Sequence, residues 1–157
     1  MSTYLFDTSG LCKRYFVNEI GSDVVNTLFG DAASTRYVIN LAILEVLNAF
    51  YRVHREGHLS EGERDTLIAA FYNDIADGHI LVYSIGDDHI FKSEALLPAL
   101  QAMRVTKKRP GPIDALVVAC ALDFDPADLI LVSSDVDLNA LAQQFGITSF
   151  DPEHPSP

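Results

Sequence analysis

An α/β fold with a parallel sheet covered by helices on both faces is predicted by three observations. Short apolar runs alternate with stretches of helical periodicity along the chain. Two of those runs, Tyr4-Leu5-Phe6 and Leu129-Ile130-Leu131-Val132, are uninterrupted by polar residues, as buried strands require. Each ends abruptly in hydroxyls and a carboxylate, residues suited to starting a helix.

In chain order, the first strand ends at Phe6 and a helix follows from Ser9 to Val17. Asn18-Glu19-Ile20-Gly21 breaks it, and Ser22 to Phe29 is a second short helix. Tyr37-Val38-Ile39 is the next strand, ending at Asn40. Ala42 to Glu56 is a helix with Ile43, Val46, Leu47 and Phe50 at helical spacing, stopped by Gly57. Ser60 and Glu63 form a capping box that opens a helix running to about Asp77. Ile80 to Ile85 is a third strand, and Asp87 to Met103 a helix interrupted near Pro98. A basic loop leads to a nearly all-apolar helix from Pro112 to Leu122. Leu129 to Ser133 is the fourth strand, Val136 to Phe145 a helix, and Thr148 to Phe150 an edge strand. Residues 1–150 read as one domain. The tail, 151–157, carries three prolines and is either disordered or draped on the surface.

The composition fits that organisation and excludes other classes. A chain of 157 residues that is 48% apolar and 21% charged is long enough to bury a core and is neither fibrous nor disordered. No apolar run reaches the length of a membrane span, and the first residues lack a secretory layout, so a soluble, cytoplasmic protein without membrane association is expected. Cys12 and Cys120 lie far apart in apolar helical contexts and read as buried free thiols. The five histidines show no metal-ligand spacing. A net charge of −11 argues against a general nucleic-acid binder. Its distribution is uneven, however: four of the eleven Lys and Arg residues fall between Arg104 and Arg109.

Most of the 22 acids read as solvated surface charge, but four have a particular setting. Asp7 and Asp135 lie just past the ends of apolar strands. Glu45 and Asp114 fall in the first turns of helices that follow a strand and a loop. In a βαβ unit, strand C-termini and helix N-termini gather at one sheet edge, where ligands bind. Taken singly, each acid could be a helix cap or a dipole partner. Together, four like charges at a partly buried edge repel unless a cation neutralises them. Oxygen ligands without Cys or His point to Mg2+ or Mn2+ and away from zinc.

Four segments then resemble a known family, the PIN-domain ribonucleases, and within it the VapC-like toxin of bacterial VapBC toxin–antitoxin pairs. They are Tyr4-Leu5-Phe6-Asp7-Thr8-Ser9, Glu45-Val46-Leu47-Asn48-Ala49, Ile113-Asp114-Ala115-Leu116-Val117-Val118-Ala119 and Val132-Ser133-Ser134-Asp135, with the turn Gly57-His58-Leu59-Ser60 between. Their order and spacing carry the likeness down to Phe150. The resemblance implies a three-layer fold with a central parallel sheet of four to five strands. It implies endonucleolytic cleavage of RNA, with Mg2+ or Mn2+ held by Asp7, Glu45, Asp114 and Asp135, of which Asp7 and Asp114 are the most direct ligands. Ser9 and Ser133 would orient water or metal. Lys107, Lys108 and Arg109, leading into the helix of Asp114, would hold the RNA backbone.

The resemblance further implies a homodimer and an antitoxin partner whose C-terminal segment lies in a groove. Leu11, Tyr15, Phe16, Leu47 and Phe50 could line that groove, and at helical spacing read better as core. Asp137 is expected to be an exposed helix residue. The alternative function is a catalytically silent PIN module that binds a partner protein. A haloacid-dehalogenase-type phosphohydrolase would need a second Asp where Ser9 stands. A receiver domain would need an acidic pair at the first strand.

Overall fold

The computed structural model describes residues 2–103 and 111–155. The basic segment with Lys107, Lys108 and Arg109, and the last two residues, lie outside them.

Five strands form one all-parallel sheet: β1 (Thr3–Phe6), β2 (Thr35–Ile39), β3 (Leu81–Tyr83), β4 (Leu129–Val132) and β5 (Thr148–Phe150), in the order β3-β2-β1-β4-β5. The helices are α1 (Thr8–Cys12), α2 (Ser22–Gly30), α3 (Asn40–Arg55), α4 (Glu61–Ala76), α5 (Asp87–Ala102), α6 (Pro112–Ala121) and α7 (Val136–Gln144). This is the expected α/β architecture, with Thr148–Phe150 an edge strand as the sequence predicts. Strand β1 is central because its inner residues, Leu5 and Phe6, are almost wholly buried (0% and 1% exposed). The chain builds outward from β1 to β3 on one side, then returns to β4 and β5 on the other. The reversal between β1 and β4 is a topological switch point, where the loops diverge and leave a crevice at the carboxyl edge. Leu5 pairs in register with Leu131 and Phe6 with Val132, so the residues that follow each strand emerge side by side.

Two glycines set how closely the surroundings approach that edge. A Cβ on Gly10 would lie 2.5 Å from the Val132 carbonyl oxygen, so only glycine lets α1 pack against the end of β4. Gly21, at φ +86°, turns the chain into α2 where its missing Cβ would meet the Pro152 carbonyl oxygen at 2.6 Å. The tail is therefore draped, with Pro152 buried.

The expected elements are present with shifted ends. Helix α1 stops at Cys12, well short of Val17, because Arg14 and Tyr15 donate to carbonyls three residues back and tighten the chain. Their side chains, with that of Lys13, reach distant partners: Asn26 and Asp74 for Arg14, Asp74 for Tyr15, and Glu153 for Lys13. Helix α3 begins directly at Asn40, two residues earlier than expected, which moves Glu45 from the first turn to the second. Helix α5 is not interrupted: Pro98 sits on an exposed face while Leu96 and Leu100, each 3% exposed, hold the helix on either side. The Ser60–Glu63 capping box forms as expected. Both cysteines are buried and free. Leu11, Tyr15 and Phe50 belong to the core, with Tyr15, Phe50 and Phe71 meeting edge to face. Among the described residues no helix is long and apolar enough to cross a membrane.

Candidate active site

The four acids singled out by sequence line a single cleft of about 600 Å³ at the carboxyl edge of the sheet. Asp7 is the N-cap of α1, and one of its oxygens, Oδ2, receives everything offered to it. It accepts the Ser9 backbone N–H at 3.2 Å, the Ser9 hydroxyl at 2.8 Å and the Ser133 hydroxyl at 3.2 Å. Asp135, the N-cap of α7, accepts the N–H groups of Asp137 and Leu138 on Oδ1 alone, at 2.9 and 3.0 Å. Glu45 accepts the Thr8 hydroxyl on Oε2 at 2.5 Å. Asp114, in the first turn of α6, accepts the Gly111 N–H at the start of its helix.

Capping and site geometry thus coincide. For Asp7, Glu45 and Asp135, one carboxylate oxygen is pinned by the protein and the other has no partner among the described residues. That is how a carboxylate is oriented toward something else.

A serine network ties the two strand ends together. Ser133, fully buried, donates to Asp7 and accepts the Asp135 N–H at 3.0 Å, while Ser9 Oγ accepts the Ser134 N–H at 3.0 Å. Ser9 and Ser133 therefore hold the acids and their backbone in place. Ser134 lines the same cleft, and its Oγ is buried with no hydrogen-bond partner among the described residues. A buried hydroxyl without a partner marks a position for a water or ligand.

Among the described residues six acids line the cleft, Asp7, Glu19, Glu45, Asp114, Asp135 and Glu153, against two bases, Lys13 and Arg52. Lys13 is 3% exposed and is paired with two other carboxylates, with Nζ 2.7 Å from Glu153 and 3.5 Å from Glu19. Cys12 also borders the cleft. Burial, followed by the nearby charges of Glu19 and Asp7, pushes its thiol up to about 12, which removes it as a nucleophile. What remains is a set of hard oxygen donors with excess negative charge among the described residues, which suits a divalent cation.

Asp137 departs from expectation. It is 3% exposed, buried in the first turn of α7, and is not among the residues that line the cleft. Lys13, Arg52, Ser134 and Glu153 were not anticipated as cleft residues. Arg52 carried a signal in its helical spacing from Glu45, and Ser134 sat inside a quoted motif. Lys13 and Glu153 meet across 140 residues of sequence, and nothing local announces that contact.

A second cluster, Asp88, His89 and Asp123, has ligand atoms within 4.8 Å of one another. Its donors are already used. His89 Nδ1 accepts the Gly86 N–H at 2.9 Å, so Nε2 carries the proton it gives to Asp123 at 2.7 Å. Tyr83 and Lys92 also bond to Asp123. The cluster fastens α5 to the end of α6.

The chain has a PIN-like fold: a five-stranded parallel sheet flanked by helices, with an acid-lined crevice at the switch point. Solved structures share this architecture over nearly the whole chain. A chain of the DNA-bound VapBC complex from Salmonella typhimurium superposes with a TM-score of 0.63 at 12% identity, covering 97% of this chain and 99% of that one. FitAB bound to an IR36 DNA fragment gives 0.64 at 14% identity, covering 98% of each. VapBC-1 from nontypeable Haemophilus influenzae gives 0.60 at 12% identity, covering 96% and 98%. No protein-family model and no curated protein sequence matches the chain.

Proposed function

We propose that this chain is a Mg2+-dependent endoribonuclease, the toxin half of a VapBC-type pair. The observation that carries the reading is the convergence of Asp7, Glu45, Asp114 and Asp135 on one cleft, three of them with one oxygen pinned and the other unengaged among the described residues. A divalent cation there, Mg2+ or Mn2+, would supply a water of lowered pKa and an electrostatic clamp on a phosphodiester. The chain's own part is to orient the ligands: Ser9 and Ser133 aim Asp7, Thr8 aims Glu45, and the N-terminus of α7 aims Asp135. No side-chain nucleophile is required.

The likeness to chains of VapBC and FitAB complexes supports an antitoxin partner, and a homodimeric toxin is proposed beside it. A larger cleft of about 1080 Å³ adjoins the acid cleft along α3 and the start of α4, and offers a place for an antitoxin segment. Lys107, Lys108 and Arg109 remain proposed as contacts to the RNA backbone.

The test is cleavage of total cellular RNA by the purified chain across Mg2+ and Mn2+ titrations, together with growth inhibition on expression. Asp7→Asn and Asp114→Asn should each abolish both while circular dichroism stays that of the parent. Full cleavage by either variant overturns the site assignment. A second reading, a silent PIN module that binds a partner protein, is favoured by the six-to-two excess of acids over bases among the described cleft residues, which repels RNA. It requires no cleavage with any divalent metal and no toxicity.

A further inference from the structure

An acidic cleft that acts on RNA must hold a polyanion against its own repulsion, and the described cations differ sharply in their freedom to do so. Lys13 is bound to Glu153 and Glu19, and Arg14 to Asp74 and Asn26. Arg64 is bound to Asp65 and Glu61, and Lys92 to Asp123 and Asp88. Arg36 is buried and donates to the carbonyls of Asp31 and Ser34. Among the described residues only Arg52 and Arg55 have no hydrogen-bond or ion-pair partner, and of these two only Arg52 lines the acid cleft.

The position of Arg52 follows from helical geometry. Glu45, Asn48, Ala49, Arg52 and Val53 recur on one face of α3 and together form a wall of the cleft. Arg52 stands seven residues beyond Glu45, about 10 Å along the axis at 1.5 Å per residue. It also lines the larger cleft, which shares Phe16, Glu19, Arg52 and Val53 with the acid cleft. Arg52 therefore marks the passage between the acids and the open groove beyond them. A strand with one phosphate at the acids and its next nucleotides running along α3 would pass this guanidinium, whose planar fork matches a phosphate.

We propose that Arg52 is the phosphate-binding residue that guides single-stranded RNA along α3 into the acid cleft. The inference rests on the ribonuclease reading and deepens it, since it assigns a direction to the bound strand. Lys13 does not share the role, because two carboxylates already hold it and its side chain is 3% exposed.

The experiment compares the full chain with Arg52→Ala and with Arg55→Ala, which removes the same charge one turn further along α3. Three quantities are read: binding of a short fluorescein-labelled single-stranded RNA in Ca2+ over a salt series, KM and kcat for cleavage in Mg2+, and Mn2+ binding by calorimetry. The expected result for Arg52→Ala is an affinity loss of roughly tenfold, as for a lost charge-assisted hydrogen bond. The slope of log affinity against log salt should be shallower by about 0.7, one phosphate contact on a single strand. KM should rise with kcat and Mn2+ binding unchanged, and Arg55→Ala should behave like the parent.

An unchanged salt slope and KM in Arg52→Ala, beside an active parent, overturns the inference and leaves the ribonuclease reading standing. Equal losses in both arginine variants reduce the effect to general charge and also overturn it, as does loss of Mn2+ binding in Arg52→Ala. A parent that binds Mn2+ but neither binds nor cleaves RNA refutes the ribonuclease reading, and the inference falls with it.

Discussion

Thr8 donates its hydroxyl to Glu45 Oε2 at 2.5 Å, joining the first residue of α1 to the second turn of α3 across 37 residues of sequence. Glu45 comes to the cleft from the helix after β2, whereas Asp7 comes from the end of β1. This bond fixes their relative orientation. It also leaves Glu45 Oε1 without a partner among the described residues, which suits the cation site proposed above.

Thr8→Val removes that hydroxyl while keeping the side-chain shape. The expected outcome is Mn2+ binding weaker by roughly tenfold, the lower end for loss of a ligand-orienting hydrogen bond. Thr8→Ser should retain parental affinity. Calorimetric titration of the two variants checks this, and equal affinities in Thr8→Val and the parent would show that Glu45 needs no help from α1.

Gly10→Ala places a methyl group 2.5 Å from the Val132 carbonyl oxygen, which belongs to the strand backbone and cannot step aside. A loss of about 1–3 kcal/mol is expected, typical of overpacking in a core. The displacement would push α1 off the end of β4 and stretch the contacts of Ser9 with Ser133 and Ser134. Urea unfolding measures the first effect, and Mn2+ binding by the folded fraction reports the second.

Asp123 accepts from Lys92, Tyr83 and His89, with the Lys92 hydrogen bond the main cause that lowers its carboxyl to about 2 from an ordinary 3.8. A folded value below the unfolded one means that the cluster's stabilisation is present above about pH 4 and lost as pH falls toward 2. Tyr83, raised to about 12 from 10.0 chiefly by its hydrogen bond to Asp123, contributes in the opposite sense, and its share is lost as pH rises through 12. Partial exposure limits the size of both effects. Asp123→Asn should melt below the parent at neutral pH and show a smaller drop between about pH 4 and pH 2. Melting curves across that range decide it, and parallel pH profiles would assign the cluster no role in stability.

Much of the cleft was legible in the sequence because its main signals are local. An apolar run that ends in a carboxylate is a strand end, and the βαβ rule then collects such ends at one edge. Asp7, Glu45, Asp114 and Asp135 meet there as expected. Glu45 sits one turn deeper because α3 starts without a linker after β2. Asp137 misled for the converse reason. A first-turn acid ordinarily faces solvent, and only the packing of α7 onto the sheet shows that this one is buried.

By itself, then, the sequence determined the alternation of strands and helices, the parallel sheet, the capping box at Ser60 and the four acids at its edge, all products of periodicity and of residues at element ends. Tertiary structure decided which groups surround those acids. The draped tail brings Glu153 onto Lys13, Gly10 admits α1 against β4, and the shared face of α3 sets Arg52 in the cleft wall, unpaired among the described residues. The physical reason is range. Hydrophobic patterning and capping act over a few residues, whereas the pairing that removes Lys13 and spares Arg52 depends on contacts across most of the chain, which exist only once the core has closed.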